Sequence, residues 1–367
     1  MHLQPRPVFR IALVLYFWST LLANPAFAKI VADRSAPGNQ QPTVLSTASG
    51  IPQVNIQTPS AGGVSRNTYS QFDVTSKGAI LNNSRTDTNT QTGGYVQANP
   101  WLATGGARVI LNEVNSSDPS ALQGFVEVAG QKAQVIIANP AGLEVSGAGF
   151  LNASGVTLST GRAVMNAGNL ESFKVRGGAV RIDGKGLNTQ GASYTDILAR
   201  AAQINAGIWA GEIKVVTGVN DIDANDTANP SVATSDTPPS NAEEDRTKGQ
   251  RPVFALDVAA LGGIYAGKIL LIGSEAGLGV NNAGVVGATA HDVVLTADGI
   301  LTNSGSIHAR GDVKVSTQGS IDNTATWSPP LPPTPTHSLL HLICHKHTTR
   351  SAGGRRRRRV AARTEGD

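Results

Sequence analysis

A short repeat in the last third of the chain constrains the fold most. Residues 280–284 read Val-Asn-Asn-Ala-Gly, residues 301–305 read Leu-Thr-Asn-Ser-Gly, and residues 321–323 read Ile-Asp-Asn, so the spacings are 21 and 20 residues. A unit of this length cannot bury its own apolar face, but stacked units can, because each strand pairs with its copies in the neighbouring units. A propeller blade needs roughly 40 residues. The repeat therefore predicts one coil of a β-helix per unit.

The rest of the chain body has the composition that such a coil needs. Short runs of Val, Ile, Leu and Thr are separated by Gly and Asn, as in residues 78–83, 134–139 and 155–160. This alternation is typical of half-buried strands, and Gly and Asn supply the corners between them. Residues 194–204 fit either a short helix or a strand. We predict an all-β chain that folds as a right-handed parallel β-helix with short extra strands.

The amino terminus has the pattern of a secretory signal peptide. Arg6 and Arg10 come before or at the start of an apolar run over residues 11–22, and the small-residue site Ala26-Phe27-Ala28 follows. The run is too short for a membrane span of about 20 residues. We therefore expect residues 1–28 to be removed and the mature chain to work outside the inner membrane.

The charge balance argues against a nucleic-acid-binding protein, and the cysteine content argues against a body held together by disulfides. The signal segment carries two arginines and residues 328–367 carry eight bases against two acids, so the chain between them has a net charge of −4 despite the overall +4. This balance does not support a nucleic-acid partner. The only cysteine is Cys344, so disulfides do not hold the body together.

Several motifs together resemble the two-partner secretion, or haemagglutination-activity, domain of filamentous haemagglutinin-like exoproteins. The resemblance covers residues 49–323, and its motifs lie at residues 50–59, 78–83, 124–130, 137–143, 158–162, 204–210 and 260–268. It implies a right-handed parallel β-helix, secretion through the periplasm and outer membrane to the medium or cell surface, and no cofactor.

The resemblance also implies a partner, an outer-membrane transporter of the TpsB type that reads the chain before it folds. Two Asn-Pro turns form the family's secretion signature. The pattern Asn-Pro-Asn-Gly-Ile falls on Asn139, Pro140, Ala141, Gly142 and Leu143, and Asn-Pro-Asn-Leu falls on Asn99, Pro100, Trp101 and Leu102. Both lack the second Asn. The alternative is a pair of ordinary coil corners, because turn chemistry alone selects the same residues.

The branch of the family is indicated by two positions after the later turn. Members of the contact-dependent inhibition group carry a Cys-x-x-Cys pair where this chain has Val145 and Ala148. The chain is thus predicted to be the secretion-targeting region of an adhesin that acts on a host or neighbouring cell surface. The alternative is the delivery protein of a contact-dependent growth inhibition system lacking its toxin.

An enzyme is the third possibility, because polysaccharide-cleaving enzymes also use parallel β-helices. Such an enzyme needs acids and bases clustered on one face, and fold alone does not confer chemistry. The available candidates are dispersed along the sequence, namely Asp183, Lys185, Lys214, Asp221 and Asp223. We assign no catalytic residue and no metal ligand.

Composition divides the chain into six parts. Residues 1–28 are the signal peptide, 29–48 an amino-terminal segment, 49–226 the secretion domain, 227–251 an exposed, mobile loop rich in Pro, Ser and acids, 252–327 a continuation of the β-helix, and 328–367 a tail of different composition. The tail is interpreted as disordered, as the product of a changed reading frame after Asn323, or as a metal site of His337, His341, Cys344 and His345.

Signal peptidase should cut after Ala28 and leave Lys29 as the new amino terminus, because small residues occupy positions 26 and 28. Amino-terminal sequencing of the released protein checks this prediction. A released chain that still begins at Met1 would contradict it.

Overall fold

The computed structural model describes residues 29–233, 254–325 and 340–344. Within these residues the regular structure is β-sheet with two short 3₁₀ helices, Gly38–Gln40 and Pro100–Leu102. The signal segment with Ala26 and Ala28, most of the expected loop, and most of the tail with its His residues lie outside them. No helix in the described parts of the chain is long and apolar enough to cross a membrane.

Strands follow one another closely along the chain. The first half contains β1 Ile30–Ala32, β2 Thr43–Ser46, β3 Pro52–Asn55, β4 Val64–Phe72, β5 Ala79–Asn83, β6 Thr88–Thr90, β7 Gly94–Val96, β8 Val109–Val114, β9 Ser120–Leu122, β10 Phe125–Gly130, β11 Ala133–Ala138, β12 Leu143–Val145, β13 Ala148–Leu151, β14 Ala153–Ser159, β15 Arg162–Asn166, β16 Asn169–Val175 and β17 Ala179–Ile182. The second half contains β18 Leu187–Thr189, β19 Thr195–Ala199, β20 Ala201–Ile204, β21 Gly207–Ala210, β22 Glu212–Thr217, β23 Asn220–Asp223, β24 Ser231–Val232, β25 Phe254–Val258, β26 Gly263–Ala266, β27 Lys268–Gly273, β28 Gly279–Asn282, β29 Val285–Ala288, β30 Val293–Ala297, β31 Leu301–Asn303, β32 Ser306–Ala309, β33 Val313–Thr317, β34 Ile321–Asn323 and β35 Leu340–Cys344.

Three long sheets run the length of the molecule. The 11-stranded sheet has the order β1-β4-β8-β11-β14-β19-β22-β27-β30-β33-β35, the 10-stranded sheet β2-β3-β5-β10-β13-β18-β21-β26-β29-β32, and the 8-stranded sheet β34-β31-β28-β25-β20-β17-β12-β9. Each coil places one strand in each sheet, as β28, β29 and β30 do, and the next coil pairs with it in parallel. The molecule is the predicted parallel β-helix.

The repeat is confirmed in the strand register. Val280 pairs with Leu301 and Leu301 with Ile321, at the sequence spacings that identified the unit. Residues 194–204, which fitted either a helix or a strand, form β19 and β20. At the amino-terminal end β1 pairs antiparallel with β4, and β2 pairs antiparallel with β3. These two strands cover the open edge of the first coil.

Inward side chains stack into columns along the helix axis. In the 8-stranded sheet one column runs through Leu122, Val145, Ile182, Ile204 and Val258, all of them buried. Burial of each such side chain contributes about 1.5–3 kcal/mol before conformational entropy is subtracted. One core cluster of this kind extends from Ile30 to Val315.

The same column changes from apolar residues to asparagine in the last coils. Asn282 follows Val258 in register, and Asn303 and Asn323 follow Asn282. Nδ2 of Asn282 donates to Oδ1 of Asn303 at 2.7 Å, and Nδ2 of Asn303 donates to Oδ1 of Asn323 at 2.7 Å. This asparagine ladder lets the polar side chains of Asn282 and Asn303 stay buried because their amides bond along the column, which ends at the exposed Asn323.

Extra strands cover apolar residues on the outside of the coils. A four-stranded antiparallel sheet, β15-β16-β23-β24, lies over the 11-stranded sheet, and its Phe173 and Ile222 are buried against Leu111, Ile136 and Leu198. The β6–β7 hairpin adds a smaller cover, in which Val96 clusters with Ile80. These are the short extra strands that the sequence led us to expect.

The segment expected to be a loop from Thr227 begins with folded backbone. β24 pairs antiparallel with β23, and Thr227 is buried. Its hydroxyl donates to Oδ2 of Asp196 at 2.9 Å and accepts from Nζ of Lys214 at 2.6 Å. Burial raises the pKa of Asp196, and Lys214 opposes this effect. The folded body therefore extends to residue 233, because this polar cluster attaches the segment to the 11-stranded sheet.

The tail also differs from the expectation in one place. We expected no strand after Trp327, yet Leu340–Cys344 forms β35 and pairs in parallel with β33, Val313 opposite Leu340. Its sequence, Leu-His-Leu-Ile-Cys, is apolar enough to extend a sheet at an open edge.

Asn303→Ala should destabilise the last coils by about 1–3 kcal/mol, because it removes the nearer acceptor of the buried Asn282 amide, whose other acceptor is the Ser306 carbonyl at 3.4 Å. Thr302→Ala on the same strand is the control, since Thr302 faces away from this column. Hydrogen exchange should accelerate in β28, β31 and β34 and stay unchanged near β4, because solenoid coils contact only their neighbours. Equal effects of the two substitutions would contradict a stabilising ladder.

Candidate functional site: two asparagine-proline turns

The turn at Asn139 joins β11 to β12. The Asn139 main-chain N–H continues the strand ladder to the carbonyl of Ser159 at 2.9 Å. Its side-chain Oδ1 then accepts from the N–H of Ala141 at 2.9 Å, and its carbonyl accepts from the N–H of Gly142 at 3.0 Å. An Asn side chain that bonds the backbone two residues later is an Asx turn, which mimics a backbone turn.

The side-chain NH2 group of Asn139 bonds to the preceding coil. Nδ2 donates to the carbonyl of Asp118 at 3.0 Å and to Oγ of Ser120 at 3.0 Å. The side chain is fully buried, so every polar group of this amide is satisfied inside the fold. The turn thus fastens one coil to the next as well as reversing the chain.

Gly142 closes this turn in a conformation that favours glycine. Its φ is +126°, and a β-carbon there would lie 3.0 Å from the carbonyl oxygen of Ala179. Both the backbone angle and the close approach of the next coil exclude larger residues. Leu143 then points into the core and is fully buried.

The turn at Asn99 has the same construction. Oδ1 of Asn99 accepts from the N–H of Trp101 at 3.0 Å, and the Asn99 carbonyl accepts from the N–H of Leu102 at 3.2 Å. Nδ2 donates to the carbonyls of Ile56 and Asn82, each at 2.9 Å. Asn99 caps the 3₁₀ helix Pro100–Leu102, in which proline fits the first position.

The shared construction explains why both turns tolerate the loss of the family's second Asn. The group that each Asn side chain bonds is the backbone N–H of residue 101 or 141, which every residue except proline has. Trp101 is 44% exposed, and its ring N–H donates to Oγ1 of Thr43 at 3.2 Å. The aromatic side chain therefore lies outside the hydrogen bonds that define the turn.

The surroundings of the Asn139 turn are polar. Pro140 lines a groove of about 140 Å³ together with Arg66, Glu113 and Arg162. Arg66 and Glu113 form an ion pair across β4 and β8. None of the hydrogen bonds of the described residues joins the Asn139 turn to the Asn99 turn, so the two signature turns are separate features.

The positions that hold the Cys-x-x-Cys pair in some family members are part of the apolar core here. Val145 and Ala148 are both buried and belong to the central cluster. Among the described residues no group of three His, Cys, Asp or Glu side chains is close enough to hold a metal ion.

Sequence reasoning missed the residues that complete the turns. Asn82 accepts through its carbonyl from Asn99, and Ser120 accepts from Asn139. Asn82 also donates through Nδ2 to Oδ1 of Asn55 at 2.8 Å, its register partner on β3. Nothing in the local sequence marks Asn82 or Ser120 as a partner of a turn.

Comparison with known proteins gives the same family as the motifs. A family model described as the TPS secretion domain matches residues 28–309. The chain is 55% identical over 299 residues to a protein named Toxin CdiA from Yersinia pestis, covering 82% of this chain and 9% of that protein. It is 42% identical over 311 residues to tRNA nuclease CdiA-2 of Burkholderia pseudomallei (strain 1026b), covering 84% of this chain and 9% of that protein.

A solved structure of the same family has a similar fold. The crystal structure of the filamentous hemagglutinin secretion domain aligns with a TM-score of 0.65 and 30% identity, covering 87% of this chain and 99% of that one. The chain spans about a tenth of the length of the curated relatives named above. The family model covers both turns and the coils up to residue 309, and the chain belongs to the family of two-partner secretion (TPS) domains.

Proposed function

We propose that the outer-membrane transporter of a two-partner system recognises this domain through its Asn99 and Asn139 turns before the coils have folded. The family is that of exoproteins secreted through the outer membrane to the cell surface or beyond. The observation that carries the proposal is the burial of both amides: Asn139 is 0% and Asn99 3% exposed.

Burial of the two Asn amides determines at which stage of folding a transporter can bind them. In the folded coils the Asn139 side chain bonds Asp118, Ser120 and Ala141, so it has no group left for a partner. A transporter that reads the Asn amide must therefore bind the unfolded or partly folded chain. The same amides are captured when the coils form, which removes the recognition element from the secreted product.

This order of events gives export a direction. An exposed Asn-Pro segment binds the transporter, and folding outside the membrane replaces the transporter's contacts with coil-to-coil hydrogen bonds. The folded product no longer competes for the transporter, because binding and folding use the same groups. Proline at position 140 presets φ near −65° and lowers the entropy cost of forming the turn in either setting.

Catalysis is not part of the proposed function. The five dispersed candidates take part in separate local contacts where the structure records them: Asp183 with Asn205, Lys214 with Thr227, Asp221 with Arg176, and Asp223 with the backbone N–H of Asn225. No two of these side chains share a contact. The arrangement supports a structural role for each.

The task of the full exoprotein has two candidates. Attachment to a host or neighbouring cell follows from the resemblance to haemagglutinins and from Val145 and Ala148 at the cysteine positions. Toxin delivery between cells is favoured by the relatives, whose names describe a toxin and tRNA nucleases. Co-culture of producing and non-producing cells distinguishes them, because delivery arrests the neighbours and attachment alone produces aggregates.

Asn139→Ala should abolish secretion through the cognate transporter. In the folded state it also leaves the carbonyl of Asp118, the buried hydroxyl of Ser120 and the N–H of Ala141 without this partner, which costs about 1–3 kcal/mol. Secretion is measured as the fraction of protein outside the cell, and stability as the melting temperature of the refolded protein.

Asn83→Ala is the matched control for this loss of stability. Asn83 is equally buried, and its amide bonds Ala107 twice and Gln131 once, but it belongs to no Asn-Pro turn. Pro140→Ala is the converse variant, because it should change stability by less than about 1 kcal/mol and still reduce secretion. Equal secretion of the Asn83 and Asn139 variants would mean that the turn is only a coil corner.

A further inference from the structure

The outward face of the 10-stranded sheet carries a row of rings in register. Asn188 on β18 pairs with Trp209 on β21, Trp209 pairs with Tyr265 on β26, and the row continues through Gly287 to His308 on β32. The row therefore runs along the helix axis, with one position per coil. Neither Asn-Pro turn contributes to it.

The rings lie along the sheet surface because glycines make room for them. A β-carbon at Gly207 would overlap the indole ring of Trp209, and one at Gly186 in the neighbouring coil would lie 3.2 Å from it. A β-carbon at Gly263 would lie 2.7 Å from the ring of Tyr265. The two rings are 6.2 Å apart between centroids, with planes 17° from parallel. Together they form a platform that spans two coils.

This platform is exposed, and the strands that carry it are uncharged. Trp209 is 38% and Tyr265 36% exposed, although large aromatic rings are usually buried. None of strands β18, β21, β26, β29 and β32 contains Asp, Glu, Lys or Arg. The outer face of the 11-stranded sheet is different, since it carries the ion pairs of Lys214 with Asp196 and of Lys314 with Asp292.

We propose that this face binds a neutral polysaccharide chain lying along the helix axis. Sugar rings present C–H faces that pack on aromatic rings, and their hydroxyls bond amide and imidazole groups such as those of Asn188 and His308. Successive coils are about 4.8 Å apart, which is close to the length of one hexose unit. The row thus offers contacts at the spacing of successive sugars, with the His308 ring lying over Gly287, which has no side chain of its own.

The absence of charge on these strands selects among ligands. An anionic glycan or a nucleic acid finds no Lys or Arg on these strands, and the binding of such chains depends on Lys and Arg. Aromatic side chains with a small number of polar groups beside them are the usual lining of small-molecule sites. The occupant is therefore a neutral glycan, and this assignment is independent of recognition by the transporter.

The test uses the purified chain and three hexasaccharides in isothermal titration calorimetry. Cellohexaose and isomaltohexaose are neutral and differ in linkage, and a heparin hexasaccharide is the anionic probe. Binding of at least one neutral probe is expected, with Trp209→Ala and Tyr265→Ala each weakening it by about tenfold. Trp209→Phe should retain most of the affinity, because the ring is kept.

Tyr95→Ala is the control, because Tyr95 is an exposed aromatic residue on the β6–β7 hairpin away from the row. Its affinity for the neutral probe should equal that of the unchanged chain. Three results overturn the proposal: no neutral probe binds, only heparin binds, or Trp209→Ala binds as the unchanged chain does. Self-association that Trp209→Ala abolishes, seen in sedimentation without neutral-probe binding, would assign the face to a second copy instead.

Discussion

Parallel pairing between successive coils is the interaction on which the other features depend. Each strand of the three long sheets bonds the strands of the coils before and after it, so one register, such as Val280 with Leu301, sets the position of every side chain in the coil. Inward residues stack on equivalent residues, and corners stack on corners. Because a coil of about 20 residues has no core of its own, its stability lies at the interfaces with its neighbours. The polar corners must then satisfy their hydrogen bonds across coils, which is the role that the buried asparagines have.

The extent to which the sequence predicts this structure follows from that pairing. The repeat at residues 280–323 and the Gly-Asn corners predict the coil, because corner chemistry and strand alternation are local properties. The partners of the Asn139 amide could not be predicted, because Asp118 and Ser120 lie about one coil earlier and their acceptors include a backbone carbonyl, which every residue has. Residues 194–204 stayed ambiguous for the same reason, because β19 is fixed by pairing with β14 and β22 and β20 by pairing with β17 and β25.

The covering strands are a second feature that the sequence alone does not predict. Leu111 and Ile136 lie on the outer side of the 11-stranded sheet, yet both are fully buried, because β16 and β23 pack over them. Leu111 and Ile136 lie in short continuous apolar runs, which are typical of strands buried on both faces. The strands that cover them come some 30 residues or more later in the sequence. The segment at Thr227 is similar, since a Pro- and Ser-rich composition predicts a loop. Its first residues are held by the bonds of Thr227 to Asp196 and Lys214 and by the pairing of β24 with β23.

The asparagine ladder has a polarity. Each amide donates towards the later coil, from Asn282 to Asn303 and from Asn303 to Asn323, and within the described residues Oδ1 of Asn282 has no hydrogen-bond partner where the column meets Val258. The first asparagine of such a ladder therefore has one acceptor without a hydrogen bond. Each further coil with Asn at the same position adds one donor and one acceptor, which bond to the neighbouring amides. A coil that broke the series with an apolar residue would instead remove the nearer acceptor of a buried amide, as the contacts of Asn282 show. The ladder therefore has a leading end, at which each amide matches an asparagine at the same level of the next coil.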